Sequence, residues 1–252
     1  MDLEIKDKVA LIIGASKNIG KSIALKLAEE CGFVCIVARD KKSLEQVVDE
    51  MPLDKNKKCF VVQDMQKENG PQRLIKKLEK KNIEPDIIIH NMGGSLGIVD
   101  PFCSRSELKQ VWEYNLGISH EINIHFIPIM MKKSWGRCIH ISTLAVKSNT
   151  GNLAYASSKH ALEGYVKTFS KAVSKHDVII CAVAPGLVDL EGRYFNRLKK
   201  SNPQKLKKYF DEHLPIRRML RPDEIGSLVT FLCSKKSSYM PGSIVEINGG
   251  GL

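Results

Sequence analysis

The chain has 252 residues, 43% hydrophobic and 27% charged, the make-up of a soluble globular protein, and no apolar run approaches the roughly 20 residues of a membrane span. The start, Met1-Asp2-Leu3-Glu4, lacks the charged-then-apolar layout of a secretory leader, so a cytoplasmic protein is expected. The net charge of +11 raises nucleic-acid binding as a reading, but the excess is spread along the chain with no basic tail and equally fits an anionic substrate.

Apolar strand-like runs alternate with amphipathic helical stretches. The spacing predicts a strand over 8–13, a helix over 21–30, a strand over 33–38 and a helix over 43–51. A strand over 58–62, a helix over 72–81 and a strand over 86–89 follow. Residues 106–133 read as one long helix, with a kink expected near Pro128. Then come a strand over 137–141, a helix over 153–175, a strand over 178–183, a helix over 223–233 and a strand over 243–247. Residues 191–213 stand apart as a polar, basic stretch. Seven strands separated by helices predict an α/β protein: a single Rossmann-type, doubly wound parallel sheet flanked by helices on both faces, in one domain over 1–252. Several strands are unbroken apolar runs, as burial on both faces requires.

Seven cysteines with no CxxC pair read as reduced, buried small residues. The seven histidines show no ligand spacing, so no metal site is expected.

The chemistry concentrates in a few places. Tyr155 and Lys159 are four residues apart, and i, i+4 positions share a helix face. An ammonium there favours phenolate over phenol, so the tyrosine should fall below its ordinary pKa of about 10 and serve as a general acid or base. Gly14-Ala15-Ser16-Lys17-Asn18-Ile19-Gly20 follows the first strand and opens the first helix, where glycines let a backbone approach a pyrophosphate. The second strand ends at Arg39-Asp40. An arginine there accommodates a ribose 2′-phosphate, with Lys17 facing the same group, so NADP(H) is favoured over NAD(H); Asp40 is expected to point away or pair with a lysine.

Together these residues resemble the short-chain dehydrogenase/reductase family along essentially the whole chain. The glycine loop resembles that family's TGxxxGxG, with Ile13 in place of Thr and Asn18 in place of the middle Gly; Asn tolerates a positive φ. Asp64 with Met65 matches the adenine-side position, Asn91-Met92-Gly93 the Asn-Ala-Gly turn, and Pro185-Gly186 the turn before Val188, which is expected at the nicotinamide carboxamide. Leu190 stands where the family often has Thr.

The resemblance implies an NAD(P)(H)-dependent oxidoreductase that interconverts a carbonyl and a secondary alcohol. Tyr155 would be the proton donor, Lys159 its electrostatic partner and a holder of the nicotinamide ribose, and Asn115 a member of a proton relay through water. The carbonyl-polarising hydroxyl has two candidates. Counting back from Tyr155 by the family's usual spacing gives Ser142, and counting forward along the strand from Gly136 gives Thr143. The family's preference for serine puts Ser142 first.

Residues 191–214 occupy the place of the family's substrate lid. They carry Arg193, Arg197, Lys199, Lys200, Lys205, Lys207 and Lys208 against Glu191, Asp211 and Glu212, which read either as a solvated helical face or as an attraction for an anionic substrate such as an acyl carrier protein, a coenzyme A thioester or a nucleotide sugar. The chain is similar to 3-oxoacyl-acyl-carrier-protein reductases. His90 to Gly94 and Glu191 to Tyr194 also resemble a branch linked with surface-carbohydrate clusters, which keeps a sugar or polyol substrate in view. A silent nucleotide-binding regulator is the alternative of another class. A homotetramer or homodimer, paired through 106–133 and 153–175, is expected from the resemblance.

Overall fold

The computed structural model describes residues 1–149 and 151–251. Its elements run β1 (Val9–Ile13), α1 (Asn18–Ala28), β2 (Phe33–Ala38), α2 (Lys41–Glu50), β3 (Lys58–Val62), α3 (Gly70–Glu79), β4 (Ile87–His90), α4 (Arg105–Trp112), α5 (Ile118–Lys133), β5 (Gly136–Ile141), α6 (Ala145–Ser148), α7 (Leu153–Val173), β6 (Val178–Pro185), α8 (Tyr194–Ser201), α9 (Pro203–His213), α10 (Pro222–Leu232) and β7 (Ile244–Ile247). The strands form one sheet in the order β3-β2-β1-β4-β5-β6-β7, and every pairing is parallel. The order reverses between β1 and β4. At such a switch point the crossovers leave to opposite sides and open a crevice beyond the strand ends.

Side-chain alternation along each strand divides the core in two. Ala10, Ile12, Val34, Ile36, Ile87 and Ile89 face one layer, where Ile23, Ala24 and Leu27 of α1 and Ile225 and Val229 of α10 pack. Leu11, Ile13, Cys35, Val37 and Ile88 face the other, under Leu74 and Leu78 of α3, Phe126 and Met130 of α5 and Leu162 and Val166 of α7. Each fully buried Ile or Leu contributes about 1.5–3 kcal/mol, which is why the unbroken apolar runs become central strands. All seven cysteines are free thiols.

Three features refine the expectation. The helix predicted over 106–133 runs without a gap from Arg105 to Lys133, with Pro128 in the interior of α5. Within it, Glu113–Gly117 form a π-helical turn. The basic stretch after Leu190 folds into α8 and α9; Pro203 starts α9, and Asn202 caps it by accepting from the N–H of Lys205 at 2.9 Å. These two helices share a third small core of Leu198, Leu206 and Met219, backed by Leu187, Phe195 and Phe210. Finally, Arg137 at the start of β5 is fully buried. Its guanidinium donates to the carbonyls of Gly136, Asp177 and Ser234 and to Ser238 Oγ, and stacks 4.7 Å from the Trp135 ring. No helix among the described residues is long and apolar enough to cross a membrane.

Candidate active site

Tyr155, Lys159 and Glu163 fall at successive i, i+4 positions of α7 and share one face. That face meets the three residues where β5 ends. Lys159 Nζ donates to the carbonyl of Ile141 at 2.7 Å, Ser142 Oγ donates to Glu163 Oε1 at 2.6 Å, and the Thr143 hydroxyl, which accepts from the N–H of Ala145 at 3.3 Å, is near enough to the Tyr155 phenol to favour its charged form. Of the two candidate hydroxyls, that of Ser142 is engaged by Glu163 and that of Thr143 lies on the Tyr155 side. Ser142 stays in the ladder, its N–H bonded to Val183 O at 2.7 Å, and its side chain is turned to α7. Thr143 lies between two backbone bonds to β6, those of Ser142 to Val183 and of Leu144 to Pro185, and its hydroxyl is the one that acts on Tyr155.

The electrostatics also correct an expectation. Lys159 does not pull Tyr155 down. Burial pushes the phenol above its ordinary value, against smaller opposing effects of the Thr143 hydrogen bond and the Arg193 charge. The ammonium lies 6.0 Å from the Tyr155 ring centre but spends a hydrogen on Ile141. Lys159, 2% exposed, is itself pushed down to about 8 by burial, with the Glu163 carboxylate pulling the other way. A raised phenol is a protonated phenol at neutral pH, the state a proton donor needs.

Asn115 sits in the π-helical turn. Its Oδ1 accepts from the Gly94 N–H at 3.0 Å, and its Nδ2 donates to Gly94 O at 2.9 Å and Val111 O at 2.8 Å. The side chain clamps a loop instead of presenting free atoms to water. A β-carbon at Gly93 beside it would lie 2.9 Å from both Asn115 Oδ1 and Lys159 Nζ, so any larger residue there would displace these side chains.

A cleft of about 630 Å³ opens beyond the switch point, lined by Gly14, Ser16, Lys17, Asn18, Ile19, Arg39, Asn91, Met92, Gly93, Tyr114, Leu190 and Arg193 among others. Its floor suits an anion. Asn18 adopts φ 53°, the left-handed turn expected of it, and no side chain caps α1 or places an acid in its first turn, so the helix N–H groups are free to bind. Gly20 allows the loop to close, since a β-carbon would strike the carbonyl of Gly14, which Asn91 Nδ2 holds at 2.8 Å. Lys17 and Arg39 are exposed and carry no ion pair among the described residues. Asp40 neither turns away nor pairs with a lysine; it caps α2 by accepting from the N–H of Ser43 at 2.7 Å. Asp64 accepts from the N–H of Gln66 at 3.0 Å, so the wall there is Gln63, Met65 and Gln66. At the far end Pro185, Gly186 and Val188 are engaged by Leu144, Ile247 and Leu220, and the wall is formed by Leu190 and Arg193.

Sequence reasoning missed Glu163 as a site residue. Its i+4 offset from Lys159 was the available signal. It also missed a buried cluster under the site. His90 and His140, directly paired across β4 and β5, stack at 4.6 Å. Asn123 joins them, with Oδ1 2.8 Å from His90 Nε2 and Nδ2 3.3 Å from His140 Nε2, and Cys138 Sγ and the Tyr165 hydroxyl complete the set. The two imidazoles and the thiol lie close enough to hold an ion. Both Nε2 atoms and the thiol are taken up by contacts to the Asn123 amide.

Comparison with known proteins agrees with this geometry. A family model described as enoyl-(acyl carrier protein) reductase matches residues 14–251. A 3-oxoacyl-[acyl-carrier-protein] reductase from Aquifex aeolicus is 26% identical over 252 residues, covering 99% of each chain. One from Buchnera aphidicola is 29% identical over 249 residues, covering 98% of each. Among solved structures, L-sorbose reductase from Gluconobacter frateurii, complexed with NADPH and L-sorbose, superposes with a TM-score of 0.89 at 25% identity, covering 100% of this chain and 99% of that one.

Proposed function

The chain belongs to the short-chain dehydrogenase/reductase family, and from that premise we propose that it reduces a carbonyl to a secondary alcohol with NADPH. The observation that carries this reading is the meeting of Tyr155, Thr143 and Lys159 beside a cleft with a phosphate-binding floor and unpaired cations. When bound, the nicotinamide supplies hydride. The chain supplies the rest. Thr143 and Tyr155 together form the donor pair for a carbonyl oxygen, Tyr155 gives up its proton as negative charge develops there, and the Lys159 ammonium stabilises the phenolate left behind. Gly14, Ser16, Asn18, Ile19 and Gly20 seat the pyrophosphate, Asn91, Met92 and Gly93 the nicotinamide side, and Arg39 with Lys17 the 2′-phosphate.

Arg39→Ala should raise KM for NADPH far more than for NADH; an equal effect on both would remove the 2′-phosphate assignment. Tyr155→Phe should lower kcat by about 10²–10⁴-fold while NADPH binding, read by fluorescence, is kept. Turnover by the wild type also separates this reading from that of a silent nucleotide-binding regulator.

Two substrate classes are supported. The relatives point to a 3-oxoacyl thioester on an acyl carrier protein, and the basic α8–α9 pair, with Arg193 and Arg197 outside any ion pair among the described residues, suits its acidic surface. The L-sorbose reductase likeness points to a ketose or polyol. A carbonyl screen with NADPH and NADH decides between them. We read α8–α9 as the substrate lid and the cytoplasm as the compartment. Assembly through α4, α5 and α7 is supported by the exposed Leu108, Trp112, Ile124 and Leu153 on those helices.

A further inference from the structure

Glu163 belongs to no role assigned above, yet it touches the site twice. It accepts the Ser142 hydroxyl at 2.6 Å, and its charge acts on Lys159 one turn earlier on α7. The contacts form a ladder: Tyr155 to Thr143, Lys159 to the carbonyl of Ile141, Glu163 to Ser142. Three consecutive residues at the end of β5 are thus held by three consecutive turns of one helix. Adjacent residues of extended chain point to opposite sides. Fixing Ser142 towards Glu163 therefore fixes the strand end from which Thr143 projects.

We propose that Glu163 is a positioning residue for the reaction, which fixes the Ser142–Thr143 strand end and holds Lys159 in its ammonium form. The inference rests on the reductase reading above. Three charged or titratable groups face Lys159. Tyr155 and Glu163 lie on its own helix, and His140 on β5 has its own charged form opposed by the Lys159 charge. From the β4 side come neutral groups, the Gly93 backbone and the Asn115 amide. His140 is neutral near pH 7 because burial holds it well below its ordinary value. Glu163 is then the one carboxylate acting on a buried ammonium. Without it, burial is opposed by no negative charge there, and only the Ile141 carbonyl still favours the ammonium.

The variants separate the two duties. Glu163→Gln keeps an oxygen for the Ser142 hydroxyl and removes the charge. Ser142→Ala removes the hydrogen bond and keeps the charge. Titration of the Lys159 ε-carbon by NMR in the cofactor-free protein is the direct readout, and the pH profile of kcat the second. Glu163→Gln should move the Lys159 titration down by about one pH unit and, at pH 7.5, lower kcat about 3–10-fold with KM for NADPH within 2-fold of wild type. Ser142→Ala should lower kcat at every pH without moving the titration. A Lys159 titration that is the same in Glu163→Gln and wild type overturns the electrostatic duty, and an unchanged kcat in Ser142→Ala overturns the positioning one. If the wild type itself binds NADPH but reduces no carbonyl, the reductase reading fails instead, whatever the NMR shows.

Discussion

At the scale of single residues, the site depends on which way three neighbours point. Thr143 faces Tyr155 and Ser142 faces Glu163, so Thr143→Ala should lower kcat by about 10²-fold, the usual effect of removing one donor to a developing oxyanion, and Ser142→Ala by less. Steady-state kinetics on both variants checks the order; a larger loss in Ser142→Ala would return the polarising role to Ser142. The sequence could not decide this. Both hydroxyls sit at the end of the same strand, and the choice turns on which one α7 takes up through Glu163, which is a tertiary fact. The pKa of Tyr155 was misjudged for a related reason. The i+4 spacing makes the lysine visible, but the burial that outweighs it comes from other elements packed around α7.

At the scale of elements, the strands were legible because a parallel sheet covered on both faces must be written as apolar runs. The π-helical turn was not. It adds one residue to a turn of otherwise ordinary helical spacing, and what holds it is the grip of Asn115 on Gly94, twenty-one residues away. Such turns commonly occur at functional positions because they push a side chain out of helical register. Asn115→Ala leaves the Gly94 N–H, the Gly94 carbonyl and the Val111 carbonyl short of partners. It should cost about 1–3 kcal/mol in denaturant unfolding and raise hydrogen exchange at Gly94 above all. Uniform exchange across the chain would show that the clamp is not local. Helices α8 and α9 were hidden by composition: most of their residues are polar, and their few apolar positions serve a private core.

At the scale of the whole molecule, two buried features set stability. Burial holds His90 down at about 4 and His140 well below its ordinary value, so both are neutral when folded and would take up protons near pH 6.5 when unfolded. Unfolding then binds protons, and stability is complete above about pH 6.5 and falls as the pH drops towards 4. His90 alone should cost about 2 kcal/mol at about pH 5, seen as a lower urea midpoint. His90→Asn should flatten that slope, and a wild-type midpoint constant from pH 6.5 to 4.5 would contradict it. Arg137 ties β5 to the chain near Asp177 and Ser234, so Arg137→Leu removes its buried bonds to Gly136, Asp177, Ser234 and Ser238 together with its ion pair to Asp177, and should lower Tm by about 5–10 °C. The third core has a different consequence. Leu198, Leu206 and Met219 are separate from the two layers that sandwich the sheet. Changes of length or composition between Leu190 and Leu214 therefore disturb a handful of contacts and leave the folding of the rest intact. Sequence can therefore drift within α8 and α9 at little cost to the two cores that hold the sheet, which leaves this segment free to vary in a way that the strands and α7 are not.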